Sequence, residues 1–229
     1  MPSRFIDEMD FTPKAIGQQL TSILKEAIVN GDLAGGEKLV ERDLQKKFGV
    51  SRSPIREAIR DLEKMGLVDI VPRKGTVVKA ITKKDIDESH IVRAPLEGLA
   101  AKYAFLNMDE TDRVALRKAL QQMRVATENK DHDGFWAAHN RFHSTFINAC
   151  GLGLLSALLR MLRLHSYRHR MVFPYQDDDF DSHFVTHVKI MDMFEDPQTD
   201  PDDLERFVVD HIDKARDEFL SNIMVRDDL

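Results

Sequence analysis

One stretch of the sequence decides the fold: Phe48-Gly49-Val50-Ser51-Arg52-Ser53-Pro54-Ile55-Arg56-Glu57-Ala58-Ile59-Arg60. Gly49 ends a short amphipathic segment, and we expect a new helix to follow with Ser53 as its N-cap and Pro54 as its first residue. Apolar residues recur at helical spacing from Ile55 onward, which predicts a buried face. The stretch therefore predicts the turn and second helix of a helix-turn-helix.

Three arginines of this stretch, Arg52, Arg56 and Arg60, recur every fourth residue and should lie along another face of the helix. Guanidinium groups at the exposed start of a helix suit bidentate hydrogen bonds to guanine edges and charge-assisted bonds to phosphate. The alternative is a solvated basic face on an ordinary helix, and the arginines alone do not exclude it. The flanking sequence has to decide between the two.

The flanking sequence predicts a winged helix-turn-helix over residues 12–81, preceded by a flexible arm at residues 1–11. The predicted elements are helices at 13–30, 41–48 and 54–65, a short strand at 38–40, and strands at 67–71 and 76–81. The tip of the last hairpin carries Arg73 and Lys74, two cations placed where a wing meets the sugar-phosphate backbone or a minor groove. DNA binding is the function that this arrangement favours.

Residues 82–229 predict a second domain that contains only helices. The six predicted helices span 83–106, 110–129, 131–149, 154–171, 181–194 and 201–224. Such a series of helices with no strand signal predicts an all-α bundle. The expected fold class is therefore mainly α, with an N-terminal winged helix-turn-helix and a C-terminal helical bundle.

Composition restricts the class of protein further. The single cysteine, Cys150, excludes an internal disulfide and fits a reducing compartment. No signal peptide and no apolar stretch of membrane-spanning length is recognised, so a cytoplasmic location is expected. The net charge is −6, but the first 80 residues are mildly basic and the remainder is acidic. This asymmetry is compatible with DNA binding through one end of the chain only.

The N-terminal region also resembles the DNA-binding domain of GntR-family bacterial transcription regulators. The matching residues are Ile28, Gly31, Leu33, Gly36, Leu39, Glu41, Arg42, Leu44, the stretch Phe48–Ile59, Leu62, Gly66-Leu67-Val68 and Gly75. The resemblance implies that Arg42, Arg52 and Arg56 contact the operator. It further implies that Ser51 and Ser53 contact phosphate and that Gly75 forms the turn of the wing.

Four histidines of the second domain have positions that suit a metal site. His139 and His143 are four residues apart, so they share a helix face and can bind one ion together. His187 and His211 lie on two later helices, which a bundle can bring to the same point. Imidazole suits zinc, nickel, copper or iron better than magnesium or calcium. The alternative is that each is an ordinary core or surface histidine.

A second resemblance bears on these histidines. Arg93 and Glu97, Phe142-His143, Ala149-Cys150-Gly151, His187 and His211-Ile212 together resemble the FCD effector domain of the FadR subfamily of GntR regulators. In the metal-binding members of that subfamily an Asp and three His coordinate the ion. His139 stands at the position of that Asp, so the resemblance implies a site of four histidines for a divalent transition metal, with zinc or nickel the first candidates.

Arg93 is the candidate for effector binding. The resemblance places it near the metal cavity, where its guanidinium can hold a carboxylate bidentately. The alternative is a simple pair with Glu97 one helical turn away. His165 and His169 are further candidates for the pocket lining, and His183 is a possible substitute ligand.

The resulting functional prediction is a ligand-responsive transcription regulator and not an enzyme. It should bind a palindromic double-stranded DNA operator as a homodimer, respond to a small organic acid, and have no membrane association. The alternative is a histidine-ligated metalloenzyme of the helical-bundle type. Against that alternative, Asn140 follows His139 where a zincin has its catalytic Glu.

Overall fold

The computed structural model describes residues 13–73, 75–172 and 180–224. The described chain divides into two compact units, one comprising the residues up to Thr82 with Tyr167–Val172 and the other the remainder from Lys83. The predicted arm at residues 1–11 and the predicted wing residue Lys74 lie outside the described residues. The side chains of His165 and His169 lie outside them too.

The first unit is a winged helix-turn-helix, as predicted. Its elements are α1 (Pro13–Val29), β1 (Lys38–Leu39), α2 (Glu41–Phe48), α3 (Arg52–Lys64), β2 (Val68–Val71) and β3 (Gly75–Val78). The three strands are antiparallel with β3 in the centre, and the β2–β3 hairpin pairs Val68 with Val78 and Val71 with Gly75. Strand β3 ends three residues earlier than the sequence predicted.

The recognition helix α3 begins earlier than predicted. Its N-cap is Ser51, whose backbone is extended and whose side chain makes no capping hydrogen bond. The assignment of Ser53 as N-cap was therefore wrong, and Pro54 is the third helical residue instead of the first. The first helical N–H groups have no intrahelical acceptor, so a proline that lacks the N–H costs no hydrogen bond there.

The core of the first unit forms where α3 packs against α1. Pro54, Ile55, Ala58, Ile59 and Leu62 of α3 are buried, and the facing residues of α1 that are buried include Leu20, Leu24 and Ile28. Burying one face of α3 leaves its arginines on the opposite, exposed side. The amphipathic spacing of the stretch thus produces both the core and the basic surface.

The second unit is the predicted all-α bundle. Its helices are α4 (Lys83–Asn107), α5 (Glu110–Asn129), α6 (His132–Ala149), the part of α7 (Gly153–Val172) up to Ser166, α8 (Phe180–Glu195) and α9 (Pro201–Met224). Pro95 lies inside α4 without ending it. The core is rich in phenylalanine, with Phe135, Phe142, Phe146 and Phe194 fully buried. Among the described helices, none is both long and apolar enough to cross a membrane.

Helices α4 and α9 lie close together at Gly98. A Cβ atom on Gly98 would lie 2.6 Å from Val209 Cγ2 and 2.7 Å from the backbone carbonyl oxygen of Glu205. The Val209 side chain can rotate away, but the carbonyl can move only with its helix. Gly98 therefore fixes the spacing of the two helices that carry Glu97 and His211.

Gly98→Ala should lower the free energy of unfolding by about 1–3 kcal/mol, the usual cost of overpacking, despite the better helix propensity of alanine. The measurement is urea unfolding followed by circular dichroism. Gly153→Ala is the matched control, because nothing lies within 4 Å of a Cβ at that helical position. If Gly98→Ala is as stable as the parent chain, the two helices do not depend on this close approach.

Candidate metal centre and DNA-binding surface

Three helices of the bundle bring four histidines together. His139 and His143 come from α6, His187 from α8 and His211 from α9. One ring nitrogen from each lies within 4.8 Å of those of the others, and all but the partly buried His211 are buried. These are the four residues that the sequence singled out, and the group so defined is called the histidine tetrad below.

The hydrogen bonds of two tetrad members determine where their lone pairs point. His187 Nδ1 lies 2.7 Å from the backbone carbonyl oxygen of His183, which can only accept, so Nδ1 carries the proton. His143 Nδ1 lies 2.6 Å from Glu97 Oε2 and likewise donates to the carboxylate. In both neutral rings Nε2 is then the unprotonated nitrogen, which is the form that binds metal.

The two Nε2 atoms of His143 and His187 lie 3.0 Å apart. Two nitrogens bound to one ion at about 2.0–2.1 Å are separated by about 3.0–3.4 Å, so this distance suits a pair of ligands to one metal. Without a cation between them, two lone pairs would face each other in a buried site. The tetrad therefore fits a divalent transition metal by donor type, by tautomer and by spacing.

Burial disfavours protonation of the tetrad histidines. Burial lowers the pKa of His143 to about 4, although the Glu97 carboxylate opposes the shift. Burial and the neighbouring histidines also hold the pKa values of His187 and His211 well below the usual range. The imidazoles of His143, His187 and His211 are therefore neutral at pH 7, as metal ligation requires.

A buried carboxylate, Glu97, connects the tetrad to two arginines. Glu97 Oε1 accepts a hydrogen bond from Arg163 Nη1 at 2.9 Å, and Arg163 Nη2 donates to Asn140 Oδ1 at 3.0 Å. Burial alone would raise the pKa of the Glu97 carboxyl, but Arg163, His143 and Arg93 together hold it well below its usual range. Glu97 is therefore ionised.

Arg93 is held more loosely than Arg163. Its Nε atom is buried 3.6 Å from Glu97 Oε1 and makes no hydrogen bond within the described structure. Burial, opposed by Glu97, lowers the pKa of Arg93 to about 10, so the guanidinium remains charged at pH 7. The Arg93–Glu97 pair exists, yet it leaves a buried donor without a hydrogen-bond acceptor.

Aromatic rings enclose part of the site. The ring centroid of His139 lies 5.1 Å from that of Trp136, and that of His187 lies 5.2 Å from that of Phe142. His183, the possible substitute ligand, is not among the four tetrad residues. Its backbone carbonyl orients His187 instead.

The arginines predicted to contact DNA lie at the exposed start of α3. Arg56 Nε lies 3.1 Å from both carboxylate oxygens of Glu41, and Arg52 Nε lies 3.6 Å from one of them. The side chains of Arg52 and Arg56 are 62% and 56% exposed, so these pairs can be exchanged for other anions. Glu41 begins α2 and thereby gathers both guanidinium groups beside the turn.

The other predicted DNA-contacting residues that the structure describes are also exposed. Arg42 lies in the first turn of α2, while Ser51 and Ser53 flank the first residue of α3. Arg73 and Gly75 lie at the hairpin tip, and both have positive φ angles, of 65° and 88°. Glycine adopts the φ of 88° at position 75 without the strain that a Cβ would add.

Comparison with known proteins gives the family. Residues 16–78 match the bacterial regulatory proteins of the gntR family, and residues 88–214 match the FCD domain. The chain belongs to the GntR family of bacterial transcription regulators and carries an FCD effector domain. It is a DNA-binding regulator and not an enzyme.

Named relatives agree with this assignment. The chain is 39% identical over 131 residues to the HTH-type transcriptional regulator YdhC of Bacillus subtilis (strain 168), covering 57% of this chain and 58% of that protein. It is 32% identical over 161 residues to the HTH-type transcriptional repressor RspR of Escherichia coli (strain K12), covering 67% and 71%. The chain thus spans less than two thirds of YdhC.

Solved structures share the fold. Escherichia coli McbR/YncC superposes with a TM-score of 0.76 at 18% identity, over 90% of this chain and 97% of that one. A GntR regulator from Rhodococcus sp. RHA1 gives 0.74 at 21% identity, over 90% and 98%.

Sequence reasoning missed the supports of the tetrad. Glu97 was considered only as a partner of Arg93, and Arg163 was not considered at all. Asn140 was noted only because it is not a catalytic acid, whereas it accepts a hydrogen bond from Arg163. The available signal was Arg163 itself, which lies between two leucines in an apolar part of the helix, since a charged residue in such a place usually has a buried partner.

We expect the metal-free protein to lose stability as the pH falls from about 6.5 toward 4. The unfolded chain takes up protons at histidines with pKa values near 6.5, whereas the folded pKa of His143 is about 4. Stability is therefore fully present above the unfolded pKa and declines below it. Urea unfolding in a chelator, at several pH values in this window, measures the slope.

His143→Gln should reduce this slope. His132→Gln is the matched control, because His132 lies on the same helix but is exposed and is not a member of the tetrad. A parent chain whose stability is constant between pH 6.5 and 4.5 would contradict the buried, neutral state of the tetrad.

Proposed function

We propose that this regulator belongs to the FadR subfamily, binds a palindromic operator as a cytoplasmic homodimer, and changes its DNA affinity when an organic acid enters a metal-containing FCD pocket. The observation that carries the proposal is the 3.0 Å approach of the Nε2 atoms of His143 and His187 in a buried site. The hydrogen bonds made by both Nδ1 atoms favour the tautomers in which these two nitrogens are unprotonated. A divalent cation held by the four histidines removes that repulsion.

The donor set favours zinc or nickel. Four neutral imidazoles are borderline ligands that suit these ions better than magnesium or calcium. When bound, the ion supplies a Lewis-acidic anchor for a carboxylate oxygen. Because His139 replaces the carboxylate of related sites, the ligand set itself contributes no negative charge, and the bound site is one charge more positive.

The charge balance around the tetrad favours an anionic effector. Arg93 and Arg163 contribute two positive charges, and Glu97 contributes one negative charge. A divalent ion would increase this positive excess in a place where water cannot screen it. The buried Nε of Arg93, which makes no hydrogen bond in the described structure, gives such an anion a donor. An organic acid that carries one or more carboxylates meets both requirements.

The exposed arginines support operator recognition. Guanine N7 and O6 accept two parallel hydrogen bonds from one guanidinium, and phosphates accept others. Arg52 and Arg56 are already gathered by Glu41, and Arg42 lies in the neighbouring helix turn. Ser51 and Ser53 are proposed to contact phosphate, and the wing residues Arg73, Lys74 and Gly75 to meet the sugar-phosphate backbone or a minor groove. A two-fold symmetric dimer would read two such half-sites.

Arg52→Ala and Arg56→Ala should each weaken operator binding by about 1–3 kcal/mol and relax the preference for operator over scrambled DNA. Fluorescence anisotropy with the upstream region of the regulator's own gene measures both quantities, at several salt concentrations. Arg60→Ala is the matched control on the same helix, and it should weaken binding to both DNAs alike and only slightly. Equal effects of all three substitutions would contradict base recognition by Arg52 and Arg56.

His143→Ala should remove bound metal and the response to organic acids while leaving metal-free operator affinity intact. Metal content follows from elemental analysis of purified protein, and the response from operator binding with and without a panel of carboxylic acids. Arg93→Gln should keep the metal and weaken only the acid response. A coupling of about 1–3 kcal/mol is the usual size of such a response. A parent chain that contains no metal after zinc or nickel loading would exclude the proposed pocket.

A further inference from the structure

We infer that Glu97 is the positioning residue of the metal site: its carboxylate selects the tautomer of His143 and aims His143 Nε2 into the tetrad. Arg163 and Asn140 in turn hold that carboxylate in place. The consequence for metal affinity rests on the function proposed above, but the effect on His143 does not.

Glu97 contacts His143 directly. The 2.6 Å distance from Oε2 to Nδ1 is that of a short, charge-assisted hydrogen bond between two fully buried groups. A carboxylate can only accept, so it stabilises the tautomer with hydrogen on Nδ1. The opposite tautomer would place hydrogen on Nε2 and exclude His143 from ligation.

Glu97 is itself held in place by a hydrogen bond from Arg163. Its other oxygen accepts from Arg163 at 2.9 Å, and the same guanidinium donates to Asn140 at 3.0 Å. Asn140 and His143 both lie on α6, so the chain of contacts leaves that helix, passes through α7 and α4, and returns to it. Such a closed arrangement restricts rotation of both the carboxylate and the imidazole.

Arg163 and Arg93 differ in how they contact Glu97. Arg163 makes two hydrogen bonds with good distances, whereas Arg93 Nε lies 3.6 Å from Glu97 and makes none. Arg163 therefore supports Glu97, and Arg93 remains available to a ligand. Charge balance alone would predict no such difference between two cations beside one carboxylate.

The test uses Co²⁺ as a probe, titrated into the chelator-treated full chain and followed by visible absorption. Glu97→Gln should weaken Co²⁺ binding about 10–100-fold. Glu97→Asp, which keeps the charge but withdraws it from His143 by one methylene, should weaken binding as well. Glu205→Gln is the matched control, because Glu205 pairs with Lys102 between α4 and α9 and is not in contact with the tetrad. This variant should bind Co²⁺ like the parent.

The second readout is the tautomer of His143 in the metal-free chain, from long-range ¹H–¹⁵N NMR spectra. The parent should carry the proton on Nδ1, and Glu97→Gln should shift the population toward Nε2–H. Parent-like Co²⁺ affinity in Glu97→Asp would show that charge alone matters and would overturn the inference. An Nε2–H tautomer in the parent would also overturn it.

The Co²⁺ titration and the tautomer measurement test the metal site and the role of Glu97 separately. If the parent chain takes up no Co²⁺, the metal site is wrong, whereas the tautomer measurement still decides the role of Glu97. If Glu97→Gln does not fold, Arg163→Lys keeps the carboxylate but removes the link to Asn140. It should weaken Co²⁺ binding by about tenfold, and parent-like binding would contradict the supporting role of Arg163.

Discussion

The candidate site of the bundle depends on the pairing of one buried, ionised carboxylate, that of Glu97. An unpaired buried charge is too costly to persist, so Glu97 requires partners with well-defined geometry. It finds them in His143 and Arg163, with Arg93 at a longer distance. Because these partners come from three helices, the same contacts that compensate the carboxylate also fix the surroundings of the histidine tetrad.

The two ends of the chain use charge differently. Around Glu97 in the bundle the charged groups are buried, and removing one partner would leave another without compensation. In the winged helix-turn-helix, the pairs of Glu41 with Arg52 and Arg56 are exposed and individually weak. Such weak pairs suit a surface that must exchange its own carboxylate for DNA. Under the proposed function, the chain combines a pre-organised sensor site with a readily exchanged contact surface.

The sequence predicted the fold almost completely, because helical periodicity and breaking residues such as Gly49 and Gly151 report local structure directly. The start of α3 was misplaced because proline is tolerated anywhere in the first turn, so Pro54 does not mark one position. The spacing of His139 and His143 predicted a shared face, but the approach of His187 and His211 depends on how separate helices pack. Glu97 and His143 are 46 residues apart in the sequence. No local sequence pattern therefore indicates that their side chains are in contact.

The central claim is that four imidazoles meet at one divalent ion. X-ray absorption spectroscopy of the zinc-loaded full chain tests it most directly, because multiple scattering from imidazole rings counts the histidine ligands. We predict nitrogen neighbours at about 2.0–2.1 Å and four imidazole ligands per ion. The number of imidazole ligands should fall to three in His139→Asp. A parent spectrum with two or fewer imidazoles would contradict it.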